Sequence, residues 1–150
     1  MGESSCRFCS IIKGELPASF VFRGPAIMAF MDAFPLANGH VLVVPKSHYT
    51  DLFEIPEDLA VETFRLARKM AFAVKSALTD VTGVNLLQNN GVSAGQKIYH
   101  FHIHVIPRTG ATGVGGRLAT IRQPADRAAL DEIAEKLKTR LSNFDGPVPQ

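Results

Sequence analysis

The sequence has no tryptophan, only two tyrosines and two cysteines, and little excess of charge in either sign. Each scarcity excludes something. Two cysteines cannot staple a small secreted domain. They form a single C-x-x-C, Cys6 to Cys9, which in a cytosolic chain suggests metal or redox chemistry more than a structural bridge. A net charge of +2 at pH 7 is too small to argue for nucleic acid or an acidic membrane as partner. No apolar run reaches the ~18 residues of a membrane span. The opening "MGESSC" lacks the apolar stretch of a secretory signal, and Cys6 stands where a myristoylation pattern wants Ser or Thr. No repeat, linker or low-complexity tract interrupts the chain. A cytoplasmic protein with neither a nucleic-acid nor a membrane partner is expected.

What is present suits one domain. The chain has 150 residues, of which 46% are apolar and 20% charged, enough to bury a core of its own. A single domain over 1–150 is expected, with an irregular tail over about 143–150. "RFCSIIK" (7–13) reads as a short helix closed by Gly14. "SFVFR" (19–23) and "AIMAFMDA" (26–33) read as strands around the turn signal Gly24-Pro25, and "HVLVVP" (40–45) as a third. Residues 56–80 carry apolar residues at steps of three and four: Ala60, Phe64, Ala67, Ala71, Val74 and Leu78. That is an amphipathic helix entered at Pro56, with Glu57 and Asp58 suiting its positive end. Leu59, Leu66, Met70 and Phe72 give it more apolar surface than one stripe needs, a hint of a second contact. "GVNLLQ" (83–88) and "YHFHIHVI" (99–106) read as strands, the latter ended by Pro107. Between them "NNGVSAGQ" (89–96) is a turn-rich loop, and "GATGVGG" (110–116) a glycine-rich one. Residues 125–141 form a second amphipathic helix on Leu130, Ile133, Ala134, Leu137 and Leu141. Strand pairs alternating with helices predict an α+β fold with a mostly antiparallel sheet.

The chemistry is concentrated in the histidines. The chain has five, and three of them, His100, His102 and His104, alternate in one strand candidate. Alternate positions share a face, so these imidazoles point one way while Phe101, Ile103 and Val105 anchor the other. Clustered imidazoles repel as cations, so the middle one, His102, should remain neutral and nucleophilic while a neighbour donates a proton. Such a set suits attack on a phosphate through a phospho-histidine intermediate. Satisfied core histidines and a metal-centred catalytic site are the competing readings. No Asp or Glu in the histidine strand completes a carboxylate-bearing metal trio.

"HFHIHVI" (100–106) matches the His-φ-His-φ-His-φ-φ signature, φ apolar, of the histidine-triad (HIT) superfamily. "FMDAFPLANGHVLVVPKSH" and "QNNGVSAGQKIYH" resemble that family's two preceding blocks, so the similarity runs from about Cys6 to Arg108. Within the superfamily the chain resembles a bacterial-type HIT hydrolase near the nucleotide-binding Hint branch. His104 stands where the uridylyltransferases carry Gln, which favours hydrolysis over transfer to a sugar.

The resemblance implies a five-stranded sheet with two main helices, joined into a ten-stranded sheet in a homodimer. It implies that His102 attacks the α-phosphate of a purine nucleotide derivative, a nucleoside phosphoramidate or related monophosphate. His104, His40 and His100 would assist. Asp32 would hold the ribose, Phe30 would line the base pocket, and Asn89 and Gln96 would bond the phosphate or leaving group. Lys97 departs from a serine frequent in the Hint branch, and Arg108 can be read as a solvated charge. Cys6 and Cys9 would join His48 and His100 in a structural zinc site, a closed tetrahedral set. No organic cofactor is implied. A dinucleoside polyphosphate hydrolase shares every catalytic residue named here. A nucleotide-binding regulatory module with vestigial activity is the reading from another class.

Overall fold

The computed structural model describes residues 5–110 and 123–144. The elements run α1 (Arg7–Lys13), β1 (Phe20–Arg23), β2 (Ile27–Met31), β3 (Val41–Pro45), α2 (Glu57–Ala77), β4 (Val81–Leu87), β5 (Ile103–Thr109) and α3 (Arg127–Ser142), with a short 3-10 turn at Val92–Ala94. The five strands form one sheet in the order β1-β2-β3-β5-β4, every pairing antiparallel. The α+β reading therefore holds. Most of the glycine-rich stretch 110–116 and of the tail 143–150 lies outside the described residues.

Every residue of β2 and β3 is buried, because helices cover both faces. Side chains alternate between the two. Ile27, Ala29, Met31, Val41 and Val43 join Leu66, Met70, Val74, Leu130 and Leu137 in the larger core under α2 and α3. Met28, Phe30, Leu42 and Val44 meet Phe8, Ile11, Cys6 and Cys9 of the α1 segment on the opposite face. Gly14 ends α1 in the left-handed region, its N–H reaching the Ser10 and Ile11 carbonyls. The β1–β2 turn closes as the Gly24-Pro25 signal suggests, with the Gly24 N–H donating to the Ile27 carbonyl at 2.9 Å.

Two sequence readings shift. The buried stripe of α2 is Thr63, Leu66, Ala67, Met70, Ala73 and Val74, while Phe64 stands 52% exposed. Apolar residues cover so much of this helix that periodicity alone could not choose between adjacent faces. Leu66 and Met70, read as surplus, face the core beneath the helix, and Phe72 meets Phe144 with ring centroids 4.9 Å apart.

The histidine strand also starts later and ends later than its pattern. Residues 99–102 pair with no strand; the Phe101 N–H instead donates to the Tyr49 carbonyl at 2.6 Å. Pro107 does not end β5. Pairing with β3 stops at Val105, so only β4 flanks the proline, which sits opposite Val84. A proline is tolerated where one side of a strand has no ladder to complete. The alternation itself survives. Phe101, Ile103 and Val105 belong to the core beneath α2.

Candidate active site

Antiparallel register places Phe20, Phe30, Leu42 and His104 side by side on four neighbouring strands. At a strand spacing of about 4.8 Å, the row spans about 14 Å from His104 to Phe20. Above it, beside α1, lies a cavity of about 440 Å³. His102, His104, Asn89, Gly95 and Lys97 line it, as do apolar Phe8, Ile11, Phe30 and Leu42, and then Asp32, Pro17, Ala18 and Arg127.

The partners of each imidazole determine where its proton sits. The Leu36 N–H donates to His40 Nδ1 at 3.0 Å, so the proton of neutral His40 is on Nε2. That nitrogen lies 2.9 Å from His104 Nδ1, which accepts it and leaves the His104 proton on Nε2. A carbonyl can only accept, so at 2.6 Å from the His100 oxygen His102 Nδ1 carries a proton. The lone pair of His102 is then on Nε2. One ring thus offers a lone pair and its neighbour an N–H, with centroids 4.8 Å apart. The Phe8 and His102 rings meet edge to face, with centroids 5.1 Å apart. Asp32 is 7% exposed; one carboxylate oxygen accepts the Phe34 N–H at 2.9 Å and the other lies 3.6 Å from His40 Nδ1.

The second cluster lies behind the first. Cys6 Sγ is 3.5 Å from His100 Nδ1, and Cys9 Sγ is 3.5 Å from the same nitrogen and 3.3 Å from His48 Nδ1. All four ligand atoms fall within 4.8 Å of one another. A tetrahedral ion with Zn–S near 2.3 Å and Zn–N near 2.0 Å sets S···N separations of about 3.5 Å, which these match. His100 Nε2 donates to the Pro45 carbonyl at 2.8 Å, which turns the Nδ1 lone pair toward the thiols, the outer-shell arrangement of a metal-bound histidine. The residues present therefore fit a Cys2His2 ion site. The loop that carries His48 is tied by the Thr50 N–H, which donates to Glu54 at 2.8 Å. That backbone bond, with the Thr50 hydroxyl, holds the Glu54 carboxyl below its ordinary value.

Of the residues singled out in the sequence, His102, His104, Asp32, Phe30 and Asn89 line the cavity. His40 and His100 are fully buried outside its lining and reach it through His104 and His102. Gln96 is buried and its amide is spent on the loop. Oε1 accepts the Gly91 N–H at 2.7 Å, and Nε2 donates to the Thr50 and Ile98 carbonyls at 2.6 and 3.2 Å. Arg108 bonds Asn85 at 2.8 Å rather than standing in solvent alone.

Sequence reasoning missed Arg7, Phe8 and Arg127 as lining residues. The signal for the first two was present, since any site joining the C-x-x-C to His100 draws the residues between the cysteines to the triad. Arg127 carried none; it arrives on a helix far along the chain. With Lys97, these cations outweigh Asp32 and give the cavity a positive field suited to an anionic ligand.

The family model described as the HIT domain matches residues 13–111. Protein hit of Bacillus subtilis is 34% identical over 140 residues, covering 93% of this chain and 96% of that protein. The adenosine 5'-monophosphoramidase HNT1 of Candida albicans is 36% identical over 150 residues, covering 95% of each. The crystal structure of a Zn-bound histidine triad family protein from Mycobacterium smegmatis superposes with a TM-score of 0.80 at 30% identity, covering 96% of this chain and 98% of that one.

Proposed function

Because the chain belongs to the HIT domain family, we propose that it is a nucleotide hydrolase working at the α-phosphate of purine nucleoside phosphoramidates or related monophosphate derivatives. The observation that carries this reading is the His102–His104 pair, lone pair beside N–H in one cavity with a carboxylate. His102 Nε2 forms a bond to the α-phosphorus while the bond to the leaving group breaks, its electron pair staying with the leaving atom. The His104 N–H hydrogen-bonds the leaving atom, and an amine leaving group takes its proton from solvent water, so His104 stays neutral. Water then cleaves the nucleotidyl-His102 bond and releases the monophosphate. His40 holds the His104 tautomer, Asp32 accepts the ribose hydroxyls, and Phe30 supplies apolar surface to the base. Gln96 positions the loop that brings Asn89 to the phosphate.

Cys6, Cys9, His48 and His100 hold a structural zinc ion. The fit of their ligand atoms and the Zn-bound relative support it. The ion supplies cross-linking of α1 to the histidine segment rather than chemistry on the substrate. Reduced thiols in such a site suit a cytoplasmic protein. The chain acts as a homodimer through its β4 edge and the exposed apolar side chains Val61 and Phe64 of α2. Among the described residues no helix is long and apolar enough to cross a membrane.

A dinucleoside polyphosphate is the second substrate class, favoured by Lys97 in the lining of the cavity. A cation there suits a leaving group that departs as an anion. Adenosine 5'-phosphoramidate and diadenosine tetraphosphate, incubated separately with the protein and with His102→Ala, test both. Rapid AMP release that the variant loses supports the mechanism, and the faster substrate assigns the class. No AMP from either substrate, with nucleotide affinity equal in the two proteins, would instead make the chain a nucleotide-binding module.

A further inference from the structure

The cations of the cavity come from unlike places. Lys97 lies within the span matched by the HIT domain, whereas Arg7 and Arg127 lie outside it. Arg127 opens α3, whose approach is pinned beside the site. The Ala125 N–H donates to the Ala33 carbonyl at 2.9 Å, one residue beyond Asp32. The guanidinium is anchored. Nη1 donates to Ser19 Oγ at 2.9 Å and Nη2 reaches the Pro17 carbonyl at 3.4 Å. Ser19 is 3% exposed, and its hydroxyl donates in turn to Asp131 at 2.6 Å. A buried pivot therefore orients this arginine, unlike a freely swinging surface side chain.

Its position excludes a role at the phosphorus. Ser19 directly precedes Phe20 on the outermost strand, three strands or about 14 Å from His104. A ligand whose phosphate meets His102 and whose ribose meets Asp32 leaves Phe30, Ala18 and Arg127, which line the same cavity, to receive its base. A guanidinium offers donors and no acceptor. A purine with a keto oxygen at C6 presents two adjacent acceptors, O6 and N7, that match its fork. Adenine places an amino donor beside N7 and meets the fork donor to donor.

We infer that Arg127 is a specificity-determining residue that selects a 6-oxopurine, guanine or hypoxanthine, over adenine. This rests on the nucleotide-hydrolase reading of the same cavity. Two measurements on the full chain test it: calorimetric binding of GMP and AMP, and kcat/KM for guanosine and adenosine 5'-phosphoramidates. The guanine form is expected to be preferred about tenfold in both, the discrimination of one good arginine–guanine contact. Arg127→Ala brings both ratios near one, chiefly through a higher KM for the guanosine substrate. Arg127→Lys, which keeps the charge and loses the fork, falls between, and Ser19→Ala loosens the preference without removing it.

Equal affinities in the wild-type protein, or a preference that survives in Arg127→Ala, overturn the assignment. The two readings fail separately. Tighter GMP binding through Arg127 with no turnover of either phosphoramidate removes the hydrolase and keeps the base selection. Turnover without base preference does the reverse. Binding of neither nucleotide defeats both.

Discussion

His100 and His102 are two residues apart, yet they belong to different kinds of site. His100 is fully buried; its ring is shut between two thiols and a carbonyl and lines no part of the cavity. His102 spends one nitrogen on the backbone and presents its ring to the cavity. What separates them is the neighbourhood. The C-x-x-C segment closes over the first with its two thiols, whereas Phe8, lying between those cysteines, packs edge to face against both rings, with centroids 5.9 Å from the first and 5.1 Å from the second. Residue type therefore says little here. A closed donor set makes structure, and an open one makes chemistry.

The contrast breaks most sharply at His102. His102→Ala is expected to lower kcat by about 10⁴-fold or more while nucleotide affinity changes little, as read by single-turnover kinetics beside calorimetry. Loss of affinity in step with kcat would return His102 to the role of a binding group. His40→Ala comes next, since it removes the donor that sets the His104 tautomer. It should cost about 10²-fold with amine and anionic leaving groups alike, since either leaving atom takes the His104 hydrogen bond.

The closed cluster should answer in stability before activity. Cys6→Ser with Cys9→Ser is expected to abolish bound zinc by elemental analysis and to lower Tm by about 5–15 °C. Unchanged Tm and zinc content would remove the site. Gly39→Ala tests the turn that delivers His40. Its φ of +86° lies in the left-handed region, and an added Cβ would press on Leu78 and stand 3.2 Å from Val74 of α2. A loss of about 1–3 kcal/mol by denaturant unfolding is expected, with a fall in kcat.

The smallest effect concerns Glu54. Its carboxyl is held below the ordinary value, chiefly by the Thr50 backbone bond, so its contribution is present above the unfolded pKa and fades as pH falls through the folded one. Glu54→Gln should flatten the acid limb of the stability curve slightly and leave neutral stability nearly unchanged.

The sheet, three helices and the histidine face were legible because each rests on a short-range pattern: alternation, a 3.6-residue period, or glycine and proline at turns. The buried face of α2 was not, because its apolar residues exceed one stripe and only the sheet and α3 choose among them. The limits of β5 were set by where β3 and β4 end, which no local pattern records. Within the cavity, His102, His104 and Asp32 stood in recognisable blocks, whereas Arg127 depends on α3 docking beside Ala33. Gln96 was legible as a polar residue near the site, but not that its amide would be consumed by Gly91, Thr50 and Ile98.

One feature joins the two sites. His100 turns its ring to the cysteines and its carbonyl to the proton of His102. Binding equilibria that share a residue are linked, and linkage is reciprocal. Whatever factor the ion contributes to the affinity of a ligand that engages His102, that ligand returns to the ion. Metal affinity measured at equilibrium with and without a ligand on His102 would report that coupling from the far side of the histidine segment.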